Sequence, residues 1–257
     1  MGILNVTPDS FFDGGLFLSV ADALRKAETM IGEGADIIDI GGESTRPGSN
    51  QVSVQDEIGR VVPVIEAIAK RFDTPISVDT TKSEVAQQAI DGGAEIINDI
   101  SGLRFDERIA AVAAKTNAGL VLMHSLGTFE TMHSEPAAED IFDEVISGLR
   151  RSVQLAKKHG VADEQIVLDV GIGFGKTFEQ NLELLAKLDN IVAEFKDYPM
   201  MVGTSRKSFI GKILGSSAVG ERLGGSLATA LEAVKNGASV LRVHDVRATV
   251  AALNVYG

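Results

Sequence analysis

Short apolar runs of four or five residues recur along the chain. Each is closed by a polar residue and followed by a polar loop, then by a longer stretch with apolar positions three and four apart. Runs of this length read as strands buried on both faces, and the longer stretches read as amphipathic helices. The predicted strands are Met1–Leu4, Asp36–Ile40, Pro75–Asp79, Glu95–Asn98, Gly119–Met123, Ile166–Asp169, Met200–Gly203 and Val240–His244. Pro75 falls at the first residue of its strand, where a missing N–H does no harm.

Helix starts are marked by Ser19-Val-Ala-Asp22, Ser53-Val-Gln-Asp56, Thr81-Lys-Ser-Glu84 and Thr177-Phe-Glu-Gln180. In each, a hydroxyl residue precedes an acid or amide residue three positions on, the pattern of a capping box. Asp245 is expected to cap the last helix. Leu24, Ala27 and Ile31 share one face of the first helix, and Gly32 and Gly34 end it. Ile58, Val61, Val62 and Ile65 share a face of the second, where Pro63 predicts a kink.

Eight such strand–helix units predict an α/β fold, a (β/α)8 TIM barrel, as a single domain over residues 1–257. The length agrees with the roughly 250 residues such barrels use, and their active sites lie at the C-terminal strand ends. An open doubly wound sheet is the rival topology. The strand count and the even spread of polar strand ends favour closure.

Composition narrows the function. Apolar residues make up 44% of the chain, enough for one sizeable core. The formal charge of −12 argues against nucleic acid or an anionic membrane as a partner. The absence of cysteine removes disulfides, thiolate nucleophiles and cysteine-bound zinc. No run approaches the length of a membrane span and no signal peptide is visible, so a cytoplasmic enzyme is expected.

The polar strand ends form the list of candidate site residues. Asp79 and Asp169 each close an apolar strand, where an ionised carboxylate is costly unless paired. With Asn98 they make an acceptor-rich wall suited to a flat heterocycle with adjacent N–H donors, such as a pterin or a guanine. Taken singly, each carboxylate is better read as a cap on the next helix or a partner for a Lys or Arg. It is the two together with Asn98 on one barrel mouth that favour a ligand wall. Arg46, Lys207, Arg242 and His244 gather cations at the same rim, and the loops after strands 7 and 8 are the usual phosphate site of this fold. Arg242 and His244, two apart in a strand, point the same way. Asn5 and Asp9 supply hard oxygen atoms of the kind Mg²⁺ takes beside substrate phosphate. The glycines of Val170–Lys176 lack phosphate-loop spacing and more simply allow a close approach to a ligand. His124 and His133 lack metal spacing.

Several segments resemble the dihydropteroate synthase family. They are Gly2-Ile-Leu-Asn-Val-Thr-Pro-Asp-Ser-Phe11, Gly41-Gly-Glu-Ser-Thr-Arg-Pro-Gly48, Ser77-Val-Asp-Thr80, Ile97-Asn-Asp99, Gly173-Phe-Gly-Lys176, Ser205-Arg-Lys-Ser208 and Arg242-Val-His-Asp245. The resemblance spans nearly the whole chain. It implies transfer of a dihydropterin-methyl group from 6-hydroxymethyl-7,8-dihydropterin diphosphate to 4-aminobenzoate, releasing pyrophosphate and 7,8-dihydropteroate for folate synthesis. By the same resemblance, Asp79, Asn98, Asp169, Lys207 and Arg242 hold the pterin. Thr45, Arg46, Pro47, Phe174 and Ser208 form the aminobenzoate side. Asn5, Thr45, Arg46, Arg242 and His244 meet the diphosphate. Asn5 binds Mg²⁺, and Asp9 with its loop closes over the site. Asp9, Arg46, Lys207, Arg242 and His244 then count as catalytic. The resemblance also implies a homodimer and a site that sulfonamides can enter.

Departures from the family pattern are Val170 where proline is usual, and the less typical Phe12 and Ser125-Leu-Gly127. Family members usually carry a segment ahead of the first strand; this sequence opens at the strand, so an unplugged lower barrel end is expected. Two other readings share the pterin wall: a methyltetrahydrofolate:corrinoid methyltransferase-like barrel and a non-catalytic pterin-binding barrel. Asp9, Thr45 and Arg46 tilt against the latter.

Overall fold

A computed structural model describes residues 1–7, 19–44, 49, 51–129, 131, 138–216 and 218–257. Its strands are β1 (Gly2–Asn5), β2 (Ile38–Gly41), β3 (Ile76–Asp79), β4 (Ile96–Asp99), β5 (Gly119–Met123), β6 (Ile166–Asp169), β7 (Met200–Val202) and β8 (Val240–Leu241). They form one parallel sheet in chain order. The sheet closes on itself where Gly2 bridges Val243. There the Ile3 N–H donates to the Val243 carbonyl at 2.9 Å and the Val243 N–H to that of Met1 at 3.0 Å. The single-domain barrel read from the strand pattern is therefore the observed fold.

The helices α1 (Val20–Gly32), α2 (Val54–Ala69), α3 (Ser83–Asp91), α4 (Arg108–Thr116) and α5 (Ile141–Lys158) follow the first five strands. Beyond β6 come α6 (Phe178–Ala186) and α7 (Leu188–Glu194), beyond β7 α8 (Ser208–Leu214) and α9 (Leu223–Lys235), and α10 (Val246–Tyr256) ends the chain. The apolar strands and the inner helix faces form one continuous core, with Ile38, Ile40, Val78, Ile97, Leu120, Leu122 and Leu168 fully buried. Among the described residues no helix is long and apolar enough to cross a membrane.

Three of the four predicted helix starts are capped by the hydroxyl expected, and one of them closes as a full capping box. Ser19 and Ser53 accept the N–H of the residue three on, and Thr177 exchanges bonds with Gln180 in both directions. The fourth is not. Thr81 is buried, and α3 begins at Ser83 without a side-chain cap of its own. The Ser83 N–H instead donates to Asp106, beyond β4, at 2.9 Å. Asp245 also fails to cap α10 with its side chain, because its carboxylate pairs with Arg206. In α1 the buried stripe is Ala23, Ala27 and Met30, one position away from the Leu24 and Ile31 expected at its centre; those two pack at its margin. Helix α2 runs on through Pro63. The strand read as Val240–His244 is shorter, so Arg242 and His244 stand on the segment beyond β8.

Candidate active site

One rung of the barrel assembles much of the wall. Asn5 pairs in register with Gly41, Gly41 with Asp79, and Asp79 with Asn98. A Cβ on Gly41 would lie 3.5 Å from the Asn5 amide oxygen and 3.6 Å from the Asp79 Cβ. Glycine at that position leaves the two flanking side chains room inside the mouth. Asp169 closes β6, and its Oδ1 accepts the Gly171 N–H at 2.7 Å, so the loop that follows is tied to the strand end.

Asn5, Asp79, Asn98, Asp169 and Gly171 line one cavity of about 1040 Å³, which also meets Phe174, Lys207, Ser208, Arg242 and His244. Acids and cations predicted from separate strands thus share one mouth. Asp9, Thr45, Arg46 and Pro47 lie outside the described residues.

Arg242 is the centre of the charge network. Its Nε donates to Asp39 at 2.7 Å, and its Nη2 donates to Asp79 at 2.6 Å while also lying 2.6 Å from Asp39. Asp39 in turn accepts from the Asn98 amide nitrogen at 3.2 Å. Sequence reading missed Asp39, which is buried in the middle of an apolar strand. The available signal was a second acid in Asp36-Ile-Ile-Asp39, with nothing to say which faced inward.

Burial is the largest influence on the ionisation of the site. It pushes Asp79 up to about 7; Arg242 pulls the other way, and the carboxylates of Asp39, Glu57 and Asp99 add to the rise. Burial also raises Asp169, against the Gly171 amide and Lys207. Lys207 is lowered to about 8 by burial and by Arg242, with Asp169 and Asp79 opposing. Its ammonium sits 3.9 Å from the centre of the Phe174 ring, a cation–π contact that fixes both groups.

His244 was expected to act as a cation. Burial, then Arg206 and Arg242, lower it to about 3, so the ring is neutral in the ligand-free protein. The Ser205 hydroxyl takes the His244 backbone N–H at 3.1 Å and stands 3.1 Å from Nδ1. That hydroxyl can donate to Nδ1 or accept from it, so the pair holds the ring in place under either tautomer. His244 thereby stands at the cavity wall as a neutral imidazole steadied by Ser205.

Behind Phe174, the buried Lys176 ammonium reaches the Phe174 carbonyl at 3.0 Å, the His124 carbonyl at 3.2 Å and His124 Nδ1 at 3.1 Å. Burial lowers Lys176 to about 7. It anchors the glycine-bearing loop to the end of β5, a role the sequence pattern did not reveal. Among the described residues no cluster of three histidine or acid side chains could hold a metal ion.

A family model described as pterin binding enzyme matches residues 1–244. The chain is 49% identical to the dihydropteroate synthase of Synechocystis sp., over 96% of this chain and 85% of that one. The chain belongs to the pterin-binding enzyme family, among its dihydropteroate synthases. Solved structures of the family agree. The Yersinia pestis enzyme, in a sulfonamide drug complex, matches with a TM-score of 0.93 and 42% identity, covering 99% of this chain and 91% of that one. The Xanthomonas albilineans enzyme with 4-aminobenzoic acid matches at 0.92 and 41%, covering 99% and 90%. Membership makes the chain a transferase of folate synthesis and sets aside the corrinoid and non-catalytic readings of the same wall.

Proposed function

We propose that the chain condenses 6-hydroxymethyl-7,8-dihydropterin diphosphate with 4-aminobenzoate, an alkyl transfer that releases pyrophosphate and forms 7,8-dihydropteroate. The observation that carries this reading is the meeting of Asp79, Asn98 and Asp169 with Lys207, Arg242 and His244 in one cavity. The acceptor side holds the N–H edge of the pterin, and the cationic side receives the leaving anion.

In this reading the Arg242 arm not engaged by Asp39 or Asp79 meets the diphosphate, with the neutral His244 ring beside it. Fixed donors aimed at charge that develops in the transition state lower the barrier to breaking the carbon–oxygen bond. The electron pair leaves with pyrophosphate, and the electron-rich ring spreads the positive charge left on the pterin methylene. The aniline nitrogen of aminobenzoate, held between Phe174 and Ser208, then forms the new carbon–nitrogen bond and loses its proton to solvent or to the departing anion. By family resemblance Asp9, Thr45, Arg46 and Pro47 complete the aminobenzoate and diphosphate sides.

The Asn5 side chain presents one hard oxygen donor at the cavity wall. That fits Mg²⁺ arriving with a diphosphate, since Mg²⁺ keeps water and phosphate oxygens and needs few protein ligands. When bound, the ion would neutralise the leaving charge as a Lewis acid. The decisive assay is pyrophosphate release from the purified protein with both substrates and Mg²⁺. Release that does not depend on aminobenzoate, or no dihydropteroate by mass spectrometry, would reject the proposal.

Asp79 makes binding pH-dependent. Its carboxyl, raised to about 7, is protonated below that pH and must ionise to accept the ring N–H donors. Affinity for 6-hydroxymethylpterin should therefore fall by about tenfold per pH unit below 7 and level off above it. Calorimetry in buffers of different ionisation enthalpy should show a proton released on binding at pH 6. A flat affinity between pH 5 and 8 would contradict this.

A further inference from the structure

We propose that Asp39 is a positioning residue that decides which face of the Asn98 amide meets the ligand while holding Arg242 in plane. The inference rests on the reading of the cavity as a pterin site and adds how that site chooses its ring. Asp39 stands in β2, one layer below the rung formed by Asn5, Gly41, Asp79 and Asn98, and is fully buried. One of its oxygens takes Arg242 Nε at 2.7 Å and also lies 3.2 Å from the Asn98 amide nitrogen. The other lies 3.5 Å from that same nitrogen.

A carboxylate only accepts hydrogen bonds, so the amide must turn its NH₂ towards Asp39 and its oxygen away. The Asn98 oxygen is buried and takes no hydrogen bond among the described residues, although Asn98 lines the cavity. A buried acceptor without a partner is rare in folded proteins and points to a donor supplied by a ligand. Flipping the amide would set its oxygen against the Asp39 carboxylate and turn a donor to the ligand instead. Asp39 thereby selects a ring that presents N–H at this position and disfavours one that presents a bare nitrogen or oxygen. The same carboxylate holds the Arg242 guanidinium in place. A ring recognised at Asn98 and an anion received by Arg242 thus depend on one group that touches neither.

The test is Asp39→Asn, which keeps volume but lets the amide of Asn98 face either way, alongside the double swap Asp39→Asn/Asn98→Asp. In the swap the new amide donates to the new carboxylate, whose free oxygen again presents an acceptor to the ligand. Asp39→Asn should weaken 6-hydroxymethylpterin binding at least 30-fold and leave the KM for aminobenzoate within threefold. The swap should recover at least tenfold of the lost affinity, which a merely structural role would not give. In the wild-type protein, neutron diffraction from deuterated crystals should place the Asn98 amide deuterons on the Asp39 side both without and with bound pterin. That measurement stands even if Asp39→Asn does not fold. Binding by Asp39→Asn within threefold of wild type, no recovery in the swap, or Asn98 amide deuterons that point to the bound ring would each overturn the inference. Wild-type protein that bound no pterin would instead overturn the site reading on which it rests.

Discussion

Arg242→Ala is expected to lower kcat/KM for the diphosphate substrate by about 10³-fold or more, at least as much as the loss of one well-placed transition-state donor. That corresponds to roughly 4 kcal/mol of lost transition-state stabilisation. The expected size follows from two roles held by one side chain. The guanidinium neutralises Asp39 and Asp79 at 2.6 to 2.7 Å, and it offers a remaining arm to the leaving anion. Truncation removes the arm and leaves the buried Asp39 carboxylate facing the partly exposed Asp79. Breaking a fully buried pair costs about 3–5 kcal/mol, which is the upper bound here. Asp79 relieves part of that cost by taking up a proton. Its folded-state pKa, already raised, then rises further above the unfolded one, so the relief is present at low pH and lost as the pH climbs. The melting-temperature deficit of the variant should accordingly be smaller at pH 5 than at pH 8. Unchanged kcat/KM would reject the assignment of Arg242, and a deficit independent of pH would reject the account of its two partners.

Gly171→Ala is the substitution with the largest expected effect on stability. Gly171 has φ of +69°, and a Cβ there would sit 1.8 Å from the His124 carbonyl oxygen. That oxygen belongs to backbone and also accepts from the buried Lys176 ammonium. No rotamer change relieves the overlap, so the loop after β6 must lift from the end of β5. The lift would break the bond from the Gly171 N–H to Asp169 and carry Phe174 out of line. Strain of this kind belongs among the large single-site effects, here about 3 kcal/mol or more. In a chain of this size that is a fall in melting temperature of roughly 6–12 °C. Gly59→Ala is the matched control: it lies within α2, meets nothing within 4 Å, and should stabilise by about 0.5–1 kcal/mol. A Gly171→Ala melt within about 2 °C of wild type would remove the packing argument.

The strand ends were legible because a parallel barrel buries its strands on both faces. Each strand then appears as an unbroken apolar run, and its first polar residue marks the functional rim. Asp79, Asn98 and Asp169 were found that way. Asp39 was not, because it lies inside such a run, and only the closed barrel shows that its side chain faces Arg242. Thr81 shows the opposite failure. Its local pattern is a good capping box, yet the hydroxyl is buried and a carboxylate from the next unit does the work. Asp245 sits at the right position to cap α10 but is drawn off by Arg206, some forty residues earlier in the chain. The charge of His244 was misjudged for a related reason. Residue type says that histidine can be a cation, whereas burial beside Arg206 and Arg242 decides that this one is not.

The bond from the Ser83 N–H to Asp106 also bears on how the polypeptide can be divided. A break between α3 and β4 would leave the start of α3 in one piece and its cap in the other. A break at Asn117, beyond α4, would keep that bond, the Lys82–Glu57 pair and the Lys82–Glu43 pair together in the amino-terminal fragment. Split versions of the protein intended to reassemble in trans should therefore be cut at the second place and not the first.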